Sequence, residues 1–244
     1  MSTPGAVIST WPRPEDLQGF AGRLFFEDYS VSYKVVFLID GFNVYFSVRD
    51  CMKRDRIQHG KWFDYRRYCE MIVKQNSNFP SGSVVARVRL YSAFAHHLHP
   101  DVSKRHKVLN DAMRLTNVDV VMGNFKRKTL KCNDCRAEYL THEEKETDIN
   151  VAMGVIEAFL VDQADCAVIV SGDTDLIAAI KAAKRFFPDK KIGIVTPAHR
   201  GNREIEKAAH FHIGIKPAHY EKYQLPNQIF DNEANAFVTK PPEC

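Results

Sequence analysis

The sequence predicts an α/β domain in which a mainly parallel β-sheet lies between layers of helices. Short apolar runs rich in β-branched residues alternate with segments of helical spacing. The runs are continuously apolar, which is typical of strands buried on both faces of a parallel sheet. Alternation of this kind indicates right-handed βαβ units. At 244 residues and 45% hydrophobic content, the chain has room for one sizeable core.

The first predicted strand is KVVFLID at residues 34–40. Five further runs have the same character, and the last of them is weak: 83–94, 118–125, 166–172, 190–197 and 210–215. Helical spacing occurs between the runs, at 62–75, 101–115, 147–163 and 174–187. In the third of these segments the apolar residues form one stripe, which we expect to face the core: Ile149, Ala152, Met153, Ile156, Phe159 and Leu160.

The ends of the chain differ in character from its middle. Residues 1–33 contain prolines and glycines without a sustained period, so we predict an N-terminal extension ahead of a domain at 34–230. Residues 231–244 are predicted to be a flexible tail. We find neither a signal-peptide pattern nor an apolar stretch of membrane-spanning length, and therefore expect a cytoplasmic protein that binds no membrane. The net charge of +4 does not by itself indicate a nucleic-acid partner.

Carboxylates follow two of the predicted strands and open one helix. Asp40 ends the first strand, Asp173 and Asp175 follow the fourth, and Asp148 begins the third helical segment. The carboxyl ends of parallel strands share one edge of the sheet, so these side chains are expected to meet there. Each acid alone is equally well explained as a helix cap or turn residue, worth about 1 kcal/mol. Together they would repel by roughly 4 kcal/mol per pair at about 4 Å, which favours a bound divalent cation.

Three polar residues accompany these acids. Asn43 could offer its amide to a phosphate or to the outer shell of a metal, or could simply cap the first helix. Ser171 and Thr174 flank Asp173, and their hydroxyls could orient a water or a phosphate. The alternative is that they satisfy backbone groups in the turn.

The motifs LIDGFNVYF, EKETDINVAMGVIEA, AVIVSGDTDLIAAI and KIGIVTP, followed by YEKYQLPNQI, occur in this order. This set resembles the NYN domain of the LabA-like branch of the PIN-like nuclease superfamily, over about residues 34–230. The resemblance implies a PIN-like three-layer fold with a central, mainly parallel sheet flanked by helices. It also implies phosphodiester cleavage that depends on Mg²⁺ or Mn²⁺, usually of RNA, single-stranded or structured.

By position, the resemblance gives catalytic and metal-binding roles to Asp40, Asp148, Asp173 and Asp175, and a neighbouring role to Asn43. A water activated by the metal would be the nucleophile, so no covalent protein nucleophile is required. Small nucleases of this kind often associate, which leaves a homodimer open. The main competing hypothesis is a non-catalytic module that binds RNA or protein on the same scaffold.

The segment KRKTLKCNDCRAEYLTHEEK raises two further hypotheses. Its basic residues Lys126, Arg127 and Lys128 lead towards Asp148 and are candidates for substrate binding. Its CxxC pair, Cys132 and Cys135, could hold structural Zn²⁺ together with His142, although a fourth ligand is not visible nearby. The alternative is a β-hairpin carrying two thiols. The spacing of Thr141 and Glu144 also predicts a capping box at a helix start.

Overall fold

The computed structural model describes residues 32–93, 99–131 and 135–242. The predicted N-terminal extension therefore lies almost wholly outside the described residues. Among the described residues a seven-stranded sheet has the order β4-β3-β2-β1-β5-β6-β7. The strands are β1 (Lys34–Asp40), β2 (Val84–Ala93), β3 (Asp119–Lys131), β4 (Glu138–Lys145), β5 (Cys166–Val170), β6 (Lys191–Thr196) and β7 (Phe211–Gly214). Within this sheet, every strand pairing is parallel except that of β3 with β4.

The strand order creates a topological switch point at the centre of the sheet. From β1 the chain moves outwards through β2 and β3, and it later returns to β1's other edge as β5 before continuing to β6 and β7. Strand β1 consequently pairs on both sides, with Ile39 opposite Leu90 of β2 and Val170 of β5. Loops leaving β1 and β5 run in opposite directions and open a crevice between them, where ligands of such sheets bind.

Helices cover both faces of the sheet, as the sequence predicted. One face is covered by α1 (Gly41–Arg54), α2 (Tyr65–Gln75), α3 (Pro100–Leu115) and α7 (Pro217–Lys222), and the other by α4 (Thr147–Leu160), α5 (Ile177–Phe186) and α6 (Arg203–Ala208). Two separate apolar cores result, one on each side of the sheet. The mainly parallel, three-layer α/β fold is therefore confirmed. None of the helices in the described part of the chain has the length and hydrophobicity that crossing a bilayer requires.

Helix α4 turns a different face to the sheet from the one predicted. Val151, Val155 and Ala158 are fully buried, whereas Ile149 and Met153 of the predicted stripe are 67% and 53% exposed. The physical reason is close packing at Gly154, where even a Cβ atom would overlap the Tyr91 hydroxyl of β2. The face with the smallest residues is the one that can approach the sheet. Ile149, Met153 and Leu160 are therefore left towards solvent, whereas Phe159 of the predicted stripe is buried.

Two hairpins add strands to those predicted. Strand β3 extends beyond residue 125 and pairs with β4, so the strands on either side of the CxxC motif form the hairpin that was the alternative to a zinc site. Thr141 and Glu144 lie in β4, and α4 begins only at Thr147, so the predicted capping box is wrong. Where we expected a flexible tail from residue 231, the structure has a second hairpin, formed by β8 (Gln228–Asp231) and β9 (Ala236–Thr239). Its Ile229 and Val238 pack against the core.

Candidate active site at the switch point of the sheet

Asp40 lies at the carboxyl end of β1 and is only 4% exposed. One carboxylate oxygen accepts the backbone N–H of Asn43 at 2.9 Å, which makes Asp40 the N-cap of α1. The other oxygen accepts the hydroxyl of Ser171 at 2.9 Å. Both oxygens are thus held by neighbouring groups, and the carboxylate is fixed in orientation at the switch point.

The pKa of Asp40 is raised to about 6. Burial is the largest cause, and the hydrogen bonds from Asn43 and Ser171 partly offset it. Repulsion by the Asp148 and Asp173 carboxylates raises the pKa further. Three of the four predicted acids therefore interact electrostatically, although they lie on a strand, a helix and a turn that are far apart in sequence. The convergence expected of four acids is thus observed for Asp40, Asp148 and Asp173.

The turn after β5 supplies the second part of the site. Its Ser171 is fully buried, donates to Asp40 and accepts the N–H of Asp173 at 3.1 Å. Asp173 in turn accepts the N–H of Asp175 at 3.0 Å, and so caps a short 3-10 helix at Thr174–Leu176. Each of these residues has the local role that the alternative explanation assigned to it. The same bonds direct the carboxylates towards one crevice.

Asn43 connects the two turns. Its side-chain oxygen accepts the N–H of Gly172 at 3.1 Å, while its own N–H is bonded to Asp40. Gly172 packs directly against the loop after β6. A Cβ atom at this position would overlap the carbonyl oxygen of Arg200, so the close approach requires glycine. Asn43 and Ser171 therefore position the acids. The sequence suggested that the Ser171 hydroxyl could orient a water or a phosphate. Because this hydroxyl is fully buried, it orients Asp40 instead and does not contact a substrate.

The remaining acids face solvent. Asp148 lies in the first turn of α4 and is exposed, as is Asp175 in the short 3-10 helix, and Thr174 beside it is half-buried. The cluster thus has a buried member, Asp40, and exposed members that an ion or a substrate can reach. All of the side-chain atoms in this cluster that could bind a metal are oxygens, which suits a hard divalent ion such as Mg²⁺ or Mn²⁺. The residues present fit the metal that the sequence resemblance implies.

An aromatic and basic face of α1 borders the carboxylates, and we did not predict it. Phe42, Tyr45, Phe46 and Arg49 follow helical spacing on one side of α1, beginning two residues after Asp40. Tyr45 and Phe46 are 45% and 37% exposed, and the Arg49 guanidinium lies 4.9 Å from the Phe46 ring centroid. The spacing of the aromatic and basic residues in GFNVYFSVR was the sequence signal that could have predicted this face.

The hairpin of β3 and β4 starts next to this face. Phe125 of β3 packs edge-on against Phe42, with ring centroids 5.7 Å apart. Beyond it, Arg127 and Lys128 are exposed on the same strand, and Lys126 pairs with Glu143 in the backbone ladder, its side chain lying outside the described residues. The base of the basic hairpin is thereby placed beside the start of α1.

Of the predicted zinc ligands, Cys135 precedes β4 and His142 lies within it. Cys135 is exposed and free, and Cys132 lies outside the described residues. His142 pairs with Arg127 in the backbone ladder, but its side chain is likewise outside the described residues. A zinc site there remains a prediction.

Comparison with known proteins gives a family match and several weaker likenesses. The family model described as the NYN domain matches residues 34–215, most of the chain. The 6-hydroxy-3-succinoylpyridine 3-monooxygenase HspA of Pseudomonas putida is 37% identical over 83 residues, which span 34% of this chain and only 25% of that protein.

Two solved structures show lower similarity. A protein of unknown function from Vibrio parahaemolyticus aligns over 76% of this chain and 94% of its own, with 18% identity and a TM-score of 0.48. A protein named as a putative pilus assembly-related protein, from Burkholderia pseudomallei, aligns over 56% of this chain and 86% of its own, with 13% identity and a TM-score of 0.23. Neither carries the assignment, which depends on the family match and the observed fold. The chain belongs to the NYN domain family, within the PIN-like nuclease superfamily.

Proposed function

We propose that this protein is a divalent-metal-dependent nuclease that hydrolyses phosphodiester bonds, with RNA as its substrate. The observation that carries the proposal is the environment of Asp40. This carboxylate is buried at the switch point of the sheet, which is the main cause of its raised pKa, and the neighbouring Asp148 and Asp173 carboxylates raise that pKa further. Such a cluster is unfavourable when all its members are ionised, and a divalent cation offsets that cost.

Asp40, Asp148 and Asp173 would hold the metal, with Asp175 beside them. When bound, Mg²⁺ or Mn²⁺ supplies charge neutralisation at the phosphate and activation of water. The chain's own contribution is positioning. Ser171 and Asn43 fix the orientation of Asp40, and the bond from Asp175 to Asp173 holds the turn, so little reorganisation is needed when the substrate arrives.

The surroundings of the cluster support a single-stranded nucleic acid as substrate. Exposed rings of Tyr45 and Phe46 offer stacking surfaces for bases, and Arg49, Arg127 and Lys128 offer charge for phosphates. Stacking on rings tolerates any base, so this surface favours strand tracking over recognition of a particular sequence. The preference for RNA over DNA comes from the family resemblance alone.

A cleavage assay tests the proposal. Labelled single-stranded RNA, structured RNA and DNA are incubated with the protein in Mg²⁺, Mn²⁺ or EDTA, alongside Asp148→Asn and the control Asp189→Asn. Asp189 is exposed and precedes β6, at the opposite edge of the sheet. We expect ion-dependent cleavage of RNA that Asp148→Asn abolishes and Asp189→Asn retains. Cleavage that survives both EDTA and Asp148→Asn would refute the proposal.

RNA binding without cleavage would instead support the competing hypothesis of a binding module. We do not transfer the reaction of HspA to this chain, because the match spans a quarter of that protein.

Three finer expectations accompany the proposal: membership of the LabA-like branch, a cytoplasmic location and pairing of two copies. The exposed face of α4 presents the apolar side chains Ile149, Met153 and Leu160 around Glu157, and this apolar area suits a second copy of the same face. Light scattering coupled to size exclusion tests the pairing. A dimer that Met153→Lys converts to a monomer would support it, and a monomer at all concentrations would contradict it.

A further inference from the structure

A cluster of three chemically different ligands lies away from the acidic site. Cys51, Asp55 and His199 each offer one ligand atom, and these atoms all lie within 4.8 Å of one another. The His199 Nε2 and an Asp55 carboxylate oxygen are 2.6 Å apart. Cys51 is fully buried, while the other two side chains are about one-third exposed, at 32% and 31%. The cluster is therefore closed on one side and open to solvent on the other.

Local structure brings these residues together. Cys51 lies in the last turns of α1, and Asp55 is the C-cap residue four positions later, so both side chains project from the same side of the helix. His199 lies in the loop after β6, in the left-handed region with φ 59°. Its ring reaches across to Asp55 from a position 144 residues further along the chain.

We propose that Cys51, Asp55 and His199 form a second metal site, which takes a borderline-soft divalent ion of the Zn²⁺ class. Thiolate, imidazole and carboxylate are the three ligand types that proteins use for zinc. Magnesium and manganese prefer oxygen, so the ion would differ from the one proposed for the acidic cluster. A solvent molecule entering from the open side would complete four-coordination.

The observed spacing requires only small movements to accept such an ion. Zinc bonds to nitrogen, oxygen and sulfur are about 2.0–2.3 Å long, so tetrahedral ligand atoms lie about 3.3–3.8 Å apart. Asp55 and His199 would separate by less than about 1 Å from their present hydrogen bond, and the widest pair would close by at most about 1.5 Å.

Binding at this site would brace the loop that supports the active-site turn. The loop is already attached to α1, because Ser47 donates to the Ala198 carbonyl at 2.6 Å and Arg200 pairs with Asp50 at 2.6 Å. The Arg200 carbonyl also abuts Gly172, which bonds to Asn43. An ion joining Asp55 to His199 would strengthen this attachment, so we assign it a structural role.

Cobalt titration tests this site independently of any nuclease activity. The full chain is stripped with chelator and titrated with Co²⁺ in a Cys132→Ser/Cys135→Ser background, which removes the hairpin thiols. We expect one equivalent of Co²⁺ with a thiolate-to-cobalt charge-transfer band, and Zn²⁺ displacing it. Oxygen ligands at the acidic cluster give no such band, so the two sites remain distinguishable.

Variants in that background decide whether these residues are the ligands. Cys51→Ser should remove the band, and His199→Ala should weaken Co²⁺ binding about tenfold or more, since loss of even a supporting residue commonly costs 10-fold to 100-fold in affinity. His99→Ala, which changes an exposed histidine at the start of α3, should change neither. Absence of the band from the folded background protein, or equal affinity in His199→Ala, would overturn the proposal.

Discussion

At the scale of single residues, Asp40 shows that a structural and a functional role are compatible. It caps α1 through the N–H of Asn43, and it also lies in the acidic cluster. Asp173 combines a cap and a cluster position in the same way. The structural and the functional explanation of each acid therefore do not exclude one another. The cap fixes the carboxylate, and a fixed carboxylate is what a metal site requires.

Asp40 makes stability depend on pH in a predictable direction. Its pKa is raised from 3.8 to about 6, so its contribution to stability is complete below pH 4 and is lost as the pH rises through about 6. The loss is at most about 3 kcal/mol. We expect the free energy of unfolding of the wild type to fall over this range relative to Asp40→Asn, measured by urea titration without divalent ions. Parallel curves for the two proteins would contradict this expectation.

Ser171 should act through Asp40. Ser171→Ala removes a buried hydrogen bond to a carboxylate and leaves the Asp173 N–H without its acceptor, a loss of about 1.5–3 kcal/mol. The Asp40 pKa should rise further, because that hydrogen bond lowers it. The acid limb of the pH–rate profile should therefore move to higher pH. Ser81→Ala, in an exposed turn, is the control, and an unmoved acid limb in Ser171→Ala would show that the residue does not position Asp40.

At the scale of elements, α4 shows why the apolar spacing predicted the wrong helix face to be buried. This helix is apolar nearly all round, so its period does not distinguish one side from another. Packing resolves the choice, because Gly154 and Ala158 permit close approach to the sheet while Ile149 and Met153 do not. Asp148 reaches the cluster from the helix start only because α4 lies this close.

Gly154→Ala tests that dependence. The added methyl group would overlap the Tyr91 hydroxyl, so we expect destabilisation of about 1–3 kcal/mol and slower cleavage as Asp148 shifts. Adding Tyr91→Phe removes the overlapping atom and should restore part of both losses. The double-mutant cycle is measured by denaturant unfolding and cleavage rate. Strict additivity of the two changes would argue against the contact as the cause.

The basic strand β3 should contribute to substrate affinity. Replacing Arg127 and Lys128 by Gln should weaken binding to all RNA sequences alike and reduce the salt dependence by about one phosphate contact each. Fluorescence anisotropy across a salt series measures both. Lys74→Gln is the control, since Lys74 is exposed near the end of α2, at the other edge of the sheet. An unchanged salt slope in the Arg127/Lys128 variant would place the substrate elsewhere.

At the scale of the whole molecule, the features that could be predicted are those set by local pattern. Buried apolar runs identified the parallel strands, and the rule that their carboxyl ends share an edge brought Asp40 and Asp173 together. The expectation that Asp148 joins them had a weaker physical basis, because Asp148 begins a helix and nothing local fixes where α4 crosses the sheet.

The features that were missed depend on long-range contact. Strand β4 is a charged segment in the sequence, so the hairpin could be given only as an alternative, and its pairing with β3 is what makes it a strand. The hairpin of β8 and β9 likewise depends on packing against the core, and the approach of His199 to Asp55 joins residues 144 positions apart. Side-chain orientation also needed the structure, which shows Ser171 buried and Tyr45 exposed.

The central claim is that the acids at the switch point are held together for a divalent cation. Electron paramagnetic resonance of Mn²⁺ titrated into the wild type, Asp148→Asn and Asp189→Asn measures this most directly. We predict saturable binding by the wild type and Asp189→Asn, and at least tenfold weaker binding by Asp148→Asn, because one of the interacting carboxylates is lost. Equal Mn²⁺ affinity in all three proteins would contradict the account.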